Sequence, residues 1–308
     1  MQAKQNKNKM KKNLLTSIFL CVCYGVFAQI PLNQAVKVSG DWQDGGTAGY
    51  YYELTANNED YCDYYLSLDL LNYGLFRGSQ AHHFTSVHRG YSSIMRLTPA
   101  RKNSYQGAQF YYATLRGNIY LNVNVDFQYA LPIKAGDSVR VFPKENSDYT
   151  LVFDLKNTTT DTIFACRRGI VCDDQYSDNS AKGSRGYKGK ANQITIYHKD
   201  GSFGEYKGFT KPLVLAGRTV EMGTPIAIVQ REGDSPKFVE FAVYFLDKNK
   251  VENKETGSKH THLRPFFRTT AGNLRLESET NYFGERNNEM LMQDMSNKEI
   301  KKFMKDKK

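Results

Sequence analysis

Aromatic side chains set the first limit on what this chain can become. It carries 21 Tyr and 18 Phe against one Trp, gathered in short runs with turn residues between them. Aromatic and β-branched residues suit the pleated, half-buried surface of a strand, so a helical bundle is excluded and an all-β fold is expected. In residues 29–143 the runs are Tyr50 to Leu54, Tyr61 to Leu71, Phe110 to Leu115 and Leu121 to Tyr129. They are broken at Asn57-Asn58, Gly107, Gly117-Asn118 and Lys134-Ala135-Gly136-Asp137. Short strands at such intervals indicate a sandwich or an open barrel, and an N-terminal β-sandwich-like domain is expected. Pro143-Lys144-Glu145-Asn146 reads as a boundary, and a second β-rich unit fills 144–250. Residues 251–308 form a polar extension. Within it Met290, Leu291, Met295, Ile300 and Phe303 repeat at loose helical spacing, which predicts a short terminal helix or tail.

The start of the chain is ordered as an export signal. Lys7, Lys9, Lys11 and Lys12 precede the apolar run Leu14 to Cys23, and Gly25-Val26-Phe27-Ala28 supplies small residues before a cut after Ala28. The apolar stretch is short for a retained anchor, and a start at Met10 would leave a compact signal. Residues 1–28 are therefore expected to be removed, leaving no membrane span and placing the product in the periplasm or outside the cell. Five of the ten net positive charges lie in that segment. The modest remainder calls for no nucleic-acid partner. Ser177 to Lys190, with its glycines and basic residues, is expected as a solvated surface loop.

Three cysteines remain beyond the signal: Cys62, Cys166 and Cys172. Cys166 and Cys172 flank the turn Arg167-Arg168-Gly169 and are candidates for a disulfide that leaves Cys62 free. The same residues read equally well as three buried thiols acting as small apolar groups. His82, His83 and His88 cluster without an acid or cysteine at metal-ligand spacing, and His260 and His262 alternate along one face of an extended segment.

Four stretches of the second unit, in the same order, carry a resemblance. Thr162-Ile163-Phe164-Ala165 with Gly169-Ile170-Val171 forms one hairpin, and Asn192 to Gly201 with Gly204-Glu205-Tyr206 a second. Ala216 to Ala227 forms a glycine turn, and Phe238-Val239-Glu240-Phe241-Ala242-Val243 closes the set. Together they resemble the lysostaphin-type (LytM-like) zinc endopeptidases, which cut peptide cross-links of bacterial cell walls. The resemblance implies an antiparallel β-sandwich with a groove along one sheet, beside which Tyr206 and His198 would lie.

It does not imply the family's chemistry. A zinc hydrolase needs three protein ligands and an open position where water is acidified. The family takes them from His-x-x-x-Asp and from the second His of His-x-His, with two further histidines in support. In this chain the ligand positions fall on Thr150, Asp154 and Glu240, and the supporting ones on Gly208 and Phe238. Only the aspartate is kept, a hydroxyl is a poor zinc ligand, and two carboxylates hold a hard ion loosely. No cofactor is expected.

The leading expectation is a secreted pseudoenzyme that binds cell-wall peptide or regulates a partner wall hydrolase. The alternative is an active peptidase whose altered zinc site combines Asp154 and Glu240 with a third donor such as His198. A third, in which the tyrosine-rich N-terminal unit binds carbohydrate or protein, rests on the same aromatic runs.

Overall fold

The computed structural model describes residues 35–101, 105–145, 147–175, 192–229 and 237–306. The export signal and the basic stretch Ser177 to Lys190 lie outside the described residues. Among the described residues no helix is long and apolar enough to cross a membrane.

The first unit is a sandwich of two three-stranded antiparallel sheets. Its strands are β1 (Val36–Asp44), β2 (Tyr50–Asn58), β3 (Tyr64–Leu70), β4 (His82–Val87), β5 (Gly90–Leu97) and β6 (Phe110–Arg116). One sheet runs β1-β2-β5 and the other β4-β3-β6. Period-two alternation sends Leu54 and Ala56 of β2 inward against Leu66, Leu68 and Leu70 of β3. Each leucine buried in this way contributes about 1.5–3 kcal/mol. Where β1 crosses β2, Gly40 leaves room for the Tyr52 ring; a Cβ there would lie 2.4 Å from that ring.

The second unit is built on one large antiparallel sheet. Its elements follow as β7 (Gln128–Ala130), β8 (Ser138–Lys144), β9 (Ser147–Asp154), β10 (Thr162–Phe164), β11 (Gly169–Gln175), β12 (Gln193–Tyr197) and β13 (Ser202–Lys207). Then come β14 (Lys211–Pro212), β15 (Thr219–Val220), β16 (Pro225–Ile228), β17 (Phe238–Leu246) and β18 (His260–Leu263). The last strands are β19 (Phe266–Thr269), β20 (Gly272–Leu274) and β21 (Asn281–Phe283). The large sheet has the order β15-β11-β12-β13-β17-β9-β8-β21, with β18 beside β17. Two smaller sheets, β10-β16-β14 and β20-β19-β7, cover its inner face. The core between them holds Val141, Phe153, Ile194, Ile196, Tyr206, Val239, Phe241 and Val243 against Ile163, Ile226, Tyr129 and Phe267. The fold is all-β and antiparallel apart from the parallel β7–β19 pair.

The sheet reaches beyond residues 144–250, taking β8 largely from before them and β18 and β21 from after them. The helical pattern near the end becomes two short helices, α2 (Asn288–Met292) and α3 (Asn297–Asp306), after an earlier α1 (Lys248–Glu252). Arg167 ties them down. Its guanidinium is 2% exposed, meets Asp294 and Asp200 at 2.9 Å each, and lies 3.7 Å over the Phe127 ring. Arg168 holds Glu299 of α3 at 2.7 Å.

Candidate functional site

Strand parity fixes what the outer face of the large sheet presents. Val139 and Val141 of β8, Phe153 of β9, and Val239 and Phe241 of β17 point into the core. Their neighbours Arg140, Phe142 and Lys144, Thr150 and Asp154, and Phe238 and Glu240 therefore share the opposite face. The register sets Asp154 opposite Phe238, and Glu240 between Val152 on one side and Lys207 on the other.

The three ligand positions thus lie on one face, and each is already engaged. Asp154 accepts from the Lys156 N–H at 3.0 Å and caps the short turn Leu155–Asn157. Glu240 is paired with the Lys144 ammonium at 2.5 Å. The Thr150 hydroxyl accepts from Ser147 Oγ at 2.9 Å. Next to them Glu205 is paired with Lys207. Among the described residues no three His, Cys, Asp or Glu side chains converge as metal ligands would. This donor set does not fit zinc: a neutral hydroxyl and two carboxylates, one neutralised by a lysine, offer no imidazole or thiolate.

The supporting positions have structural reasons for their residues. Gly208 sits at φ +91°, and a Cβ there would lie 2.7 Å from the Phe238 carbonyl oxygen, so a histidine would be strained. Phe238 is 39% exposed and meets Phe142 edge to face, with ring centroids 6.2 Å apart.

Two groove residues expected from the sequence belong elsewhere. Tyr206 is fully buried on the inner face, where its hydroxyl accepts the Cys166 N–H at 2.7 Å. His198 has the parity of Ile194 and Ile196 and is likewise buried, 1% exposed, against Tyr129. Its Nδ1 lies 2.8 Å from the Arg168 carbonyl oxygen, which can only accept, so Nδ1 carries the hydrogen. Nε2 faces Gly204 with no hydrogen-bond partner among the described residues. Burial, with the nearby Arg167 charge, lowers this imidazole to about 3 and keeps it neutral. The sheet separates His198 from Asp154 and Glu240, so those three cannot form a ligand set.

The Cys166–Cys172 disulfide is also not formed. The three cysteines among the described residues are free thiols, with Cys166 in the inner core and Cys172 on the outer face beside Cys62 and Phe203.

The other histidines do not assemble. His82 pairs with Asp69 at 2.6 Å and His88 with Asp63 at 2.9 Å. His260 Nε2 donates to the Arg116 carbonyl at 2.8 Å, and His262 lies between the Tyr149 and Tyr244 rings.

Among the described residues the outer face is covered at one end only. There the N-terminal sandwich docks through Arg116, whose Nη2 donates to the Cys172 carbonyl at 2.8 Å, and through Asp63, which accepts from Tyr197 Oη at 3.1 Å. No described residue covers the end bearing Lys144, Glu240 and Phe238. That end continues into a cleft of about 350 Å³ lined by Phe142, Pro143, Tyr149, Thr150 and Arg264. Sequence reasoning missed Arg140, Phe142 and Lys144, although the alternation of Val139 and Val141 already marks their face.

No family model matches this chain, and no curated protein matches it. Among solved structures, a novel M23 metalloprotease, pseudoalterin from the deep sea, is 16% identical over 52% of this chain and 92% of its own, with a TM-score of 0.31. Helicobacter pylori Csd3 in an orthorhombic crystal is 12% identical over 90% of this chain and 77% of its own, with a TM-score of 0.28. The same protein in a hexagonal crystal gives 12% over 76% and 71%, with a TM-score of 0.26. At such scores these likenesses carry no argument about the site.

Proposed function

We propose that this chain is an exported, non-catalytic binding protein on a lysostaphin-type scaffold, and that the open end of its large sheet recognises cell-wall peptide. The observation that supports this is the occupation of all three ligand positions by internal partners: Lys144 on Glu240, the Lys156 N–H on Asp154, and Ser147 on Thr150. A face with no open coordination place has no means of acidifying water. What it keeps is shape and polarity. The Phe142–Phe238 pair offers an apolar step, and Lys144, Lys207 and Glu240 flank it with charges of both signs. An extended peptide with charged ends fits that pattern.

The test adds the purified protein to cell-wall sacculi in zinc-containing buffer. Sedimentation of the protein with the sacculi and no release of soluble fragments above the buffer control is the expected result. Fragment release overturns the proposal. A protein that stays in the supernatant yet changes the rate of an added wall hydrolase would move the assignment from peptide binding to hydrolase regulation.

A further inference from the structure

The cysteine pairing suggested by sequence proximity fails, and the fold offers a different one. Cys62 lies just before β3 of the N-terminal sandwich and Cys172 on β11 of the large sheet, yet both belong to one packed cluster with Phe203. Tyr61, Tyr64, Tyr197 and Tyr244 close round them, leaving the cysteines 2% and 6% exposed. Each thiol has a partner of its own as well, Cys62 Sγ donating to Asp60 Oδ2 at 3.6 Å and Cys172 Sγ to the Thr195 carbonyl at 3.4 Å. Arg116 holds both sides of the junction: Nε donates to Cys62 Sγ at 3.2 Å and Nη2 to the Cys172 carbonyl at 2.8 Å. Cys166 has the sheet between it and this pair.

We infer that Cys62 and Cys172 are this chain's disulfide-forming pair, a covalent clasp between the N-terminal sandwich and the large sheet, and that Cys166 stays a thiol. The bond needs a disulfide reagent, such as oxidised glutathione or a protein disulfide of the same class. The thiolate of one cysteine attacks the reagent and expels one thiol. The other cysteine's thiolate then attacks the mixed disulfide and expels the second. The two cysteines lose two electrons and two protons, and the reagent leaves as two thiols.

The docked pair resists this exchange. The neighbouring Cys172 thiol and burial push the Cys62 thiol well up, against the Arg116 charge, so little thiolate is present in the closed interface. The link therefore forms while the sandwich is still docking, and once formed it yields to reductant only when the interface opens. It closes a long loop, the kind of cross-link that constrains the unfolded chain most.

The test uses the full chain refolded in a glutathione redox buffer, alkylated under denaturing conditions without reductant, digested and weighed. The expected product is a linked pair of peptides bearing Cys62 and Cys172, two hydrogens lighter than the free pair, with Cys166 alkylated. Cys166→Ser should leave that link in place. Reducing the wild-type protein, or introducing Cys62→Ser, should lower the melting temperature by roughly 5–15 °C. Alkylation of Cys62, Cys166 and Cys172 alike, or a linked peptide bearing Cys166, overturns the inference. The mapping needs no variant to fold, and its outcome does not depend on whether the open face binds or cleaves wall peptide.

Discussion

The two ends of the large sheet's outer face come from neighbouring strands and have opposite characters. Under the N-terminal sandwich, Phe203 is fully buried and stacks on Tyr244 with centroids 5.2 Å apart. At the far end Phe238 keeps 39% of its surface exposed, and its neighbours are a lysine and a glutamate in mutual contact. Alternation along each strand is the same at both ends. What decides the role of a side chain here is whether another unit docks over it. The covered end holds the molecule together, and the open end is the face for which we propose a partner.

The largest effect that separates the two ends is a cavity. Phe203→Ala should cost about 3–5 kcal/mol, whereas Phe238→Ala should stay within about 1 kcal/mol. Urea unfolding measures both, and equal losses would break the contrast.

A second effect comes from behind the sheet. Burial, joined by the Arg167 charge, lowers His198 to about 3, below its ordinary value near 6.5 in an unfolded chain. Between those values only the unfolded state takes up the proton, so the stabilisation is complete above about 6.5 and shrinks as pH falls toward 3. The loss should run at about 1.4 kcal/mol per pH unit. In His198→Asn that share of the slope should vanish, reducing the proton uptake on unfolding at mildly acid pH by about one. An unchanged slope would contradict the buried, neutral imidazole.

Gly208→Ala should destabilise by about 1–2 kcal/mol, through positive φ and the approach to the Phe238 carbonyl. A neutral result would mean that the backbone does not bar a histidine there. The smallest effect on stability belongs to the ion pair at the open end. Glu240→Gln should change unfolding by less than about 1 kcal/mol, because both partners are partly solvated. It should still weaken retention on sacculi. A variant that binds them as the parent does would remove Glu240 from the binding face.

Class and alternation were legible in the sequence; long-range partners were not. The aromatic runs gave the sandwich and three of its six strands, β2, β3 and β6, while β1, β4 and β5 lie outside them. The exception among the runs is the stretch from Leu121, of which only β7 at its end is strand. There Asn118 and Asn124 side chains accept the Tyr120 and Asp126 N–H groups and turn the chain instead. His198 could have been placed inside from its parity with Ile194 and Ile196. Nothing local announces that Arg167 will be buried against Asp294, or that Cys62 will meet Cys172, because each pair joins elements far apart along the chain. That the compared positions carry Thr150, Glu240, Gly208 and Phe238 rather than histidine is plain from residue types alone. That Glu240, Thr150 and Asp154 are held by Lys144, Ser147 and a backbone turn needed the register.

Metal content tests the central claim most directly. The folded protein, equilibrated with zinc and then dialysed against metal-free buffer, should retain no zinc, and Asp154→Ala should behave identically. Near-stoichiometric zinc in the parent that disappears in Asp154→Ala would contradict the account of a sheet that binds without cutting.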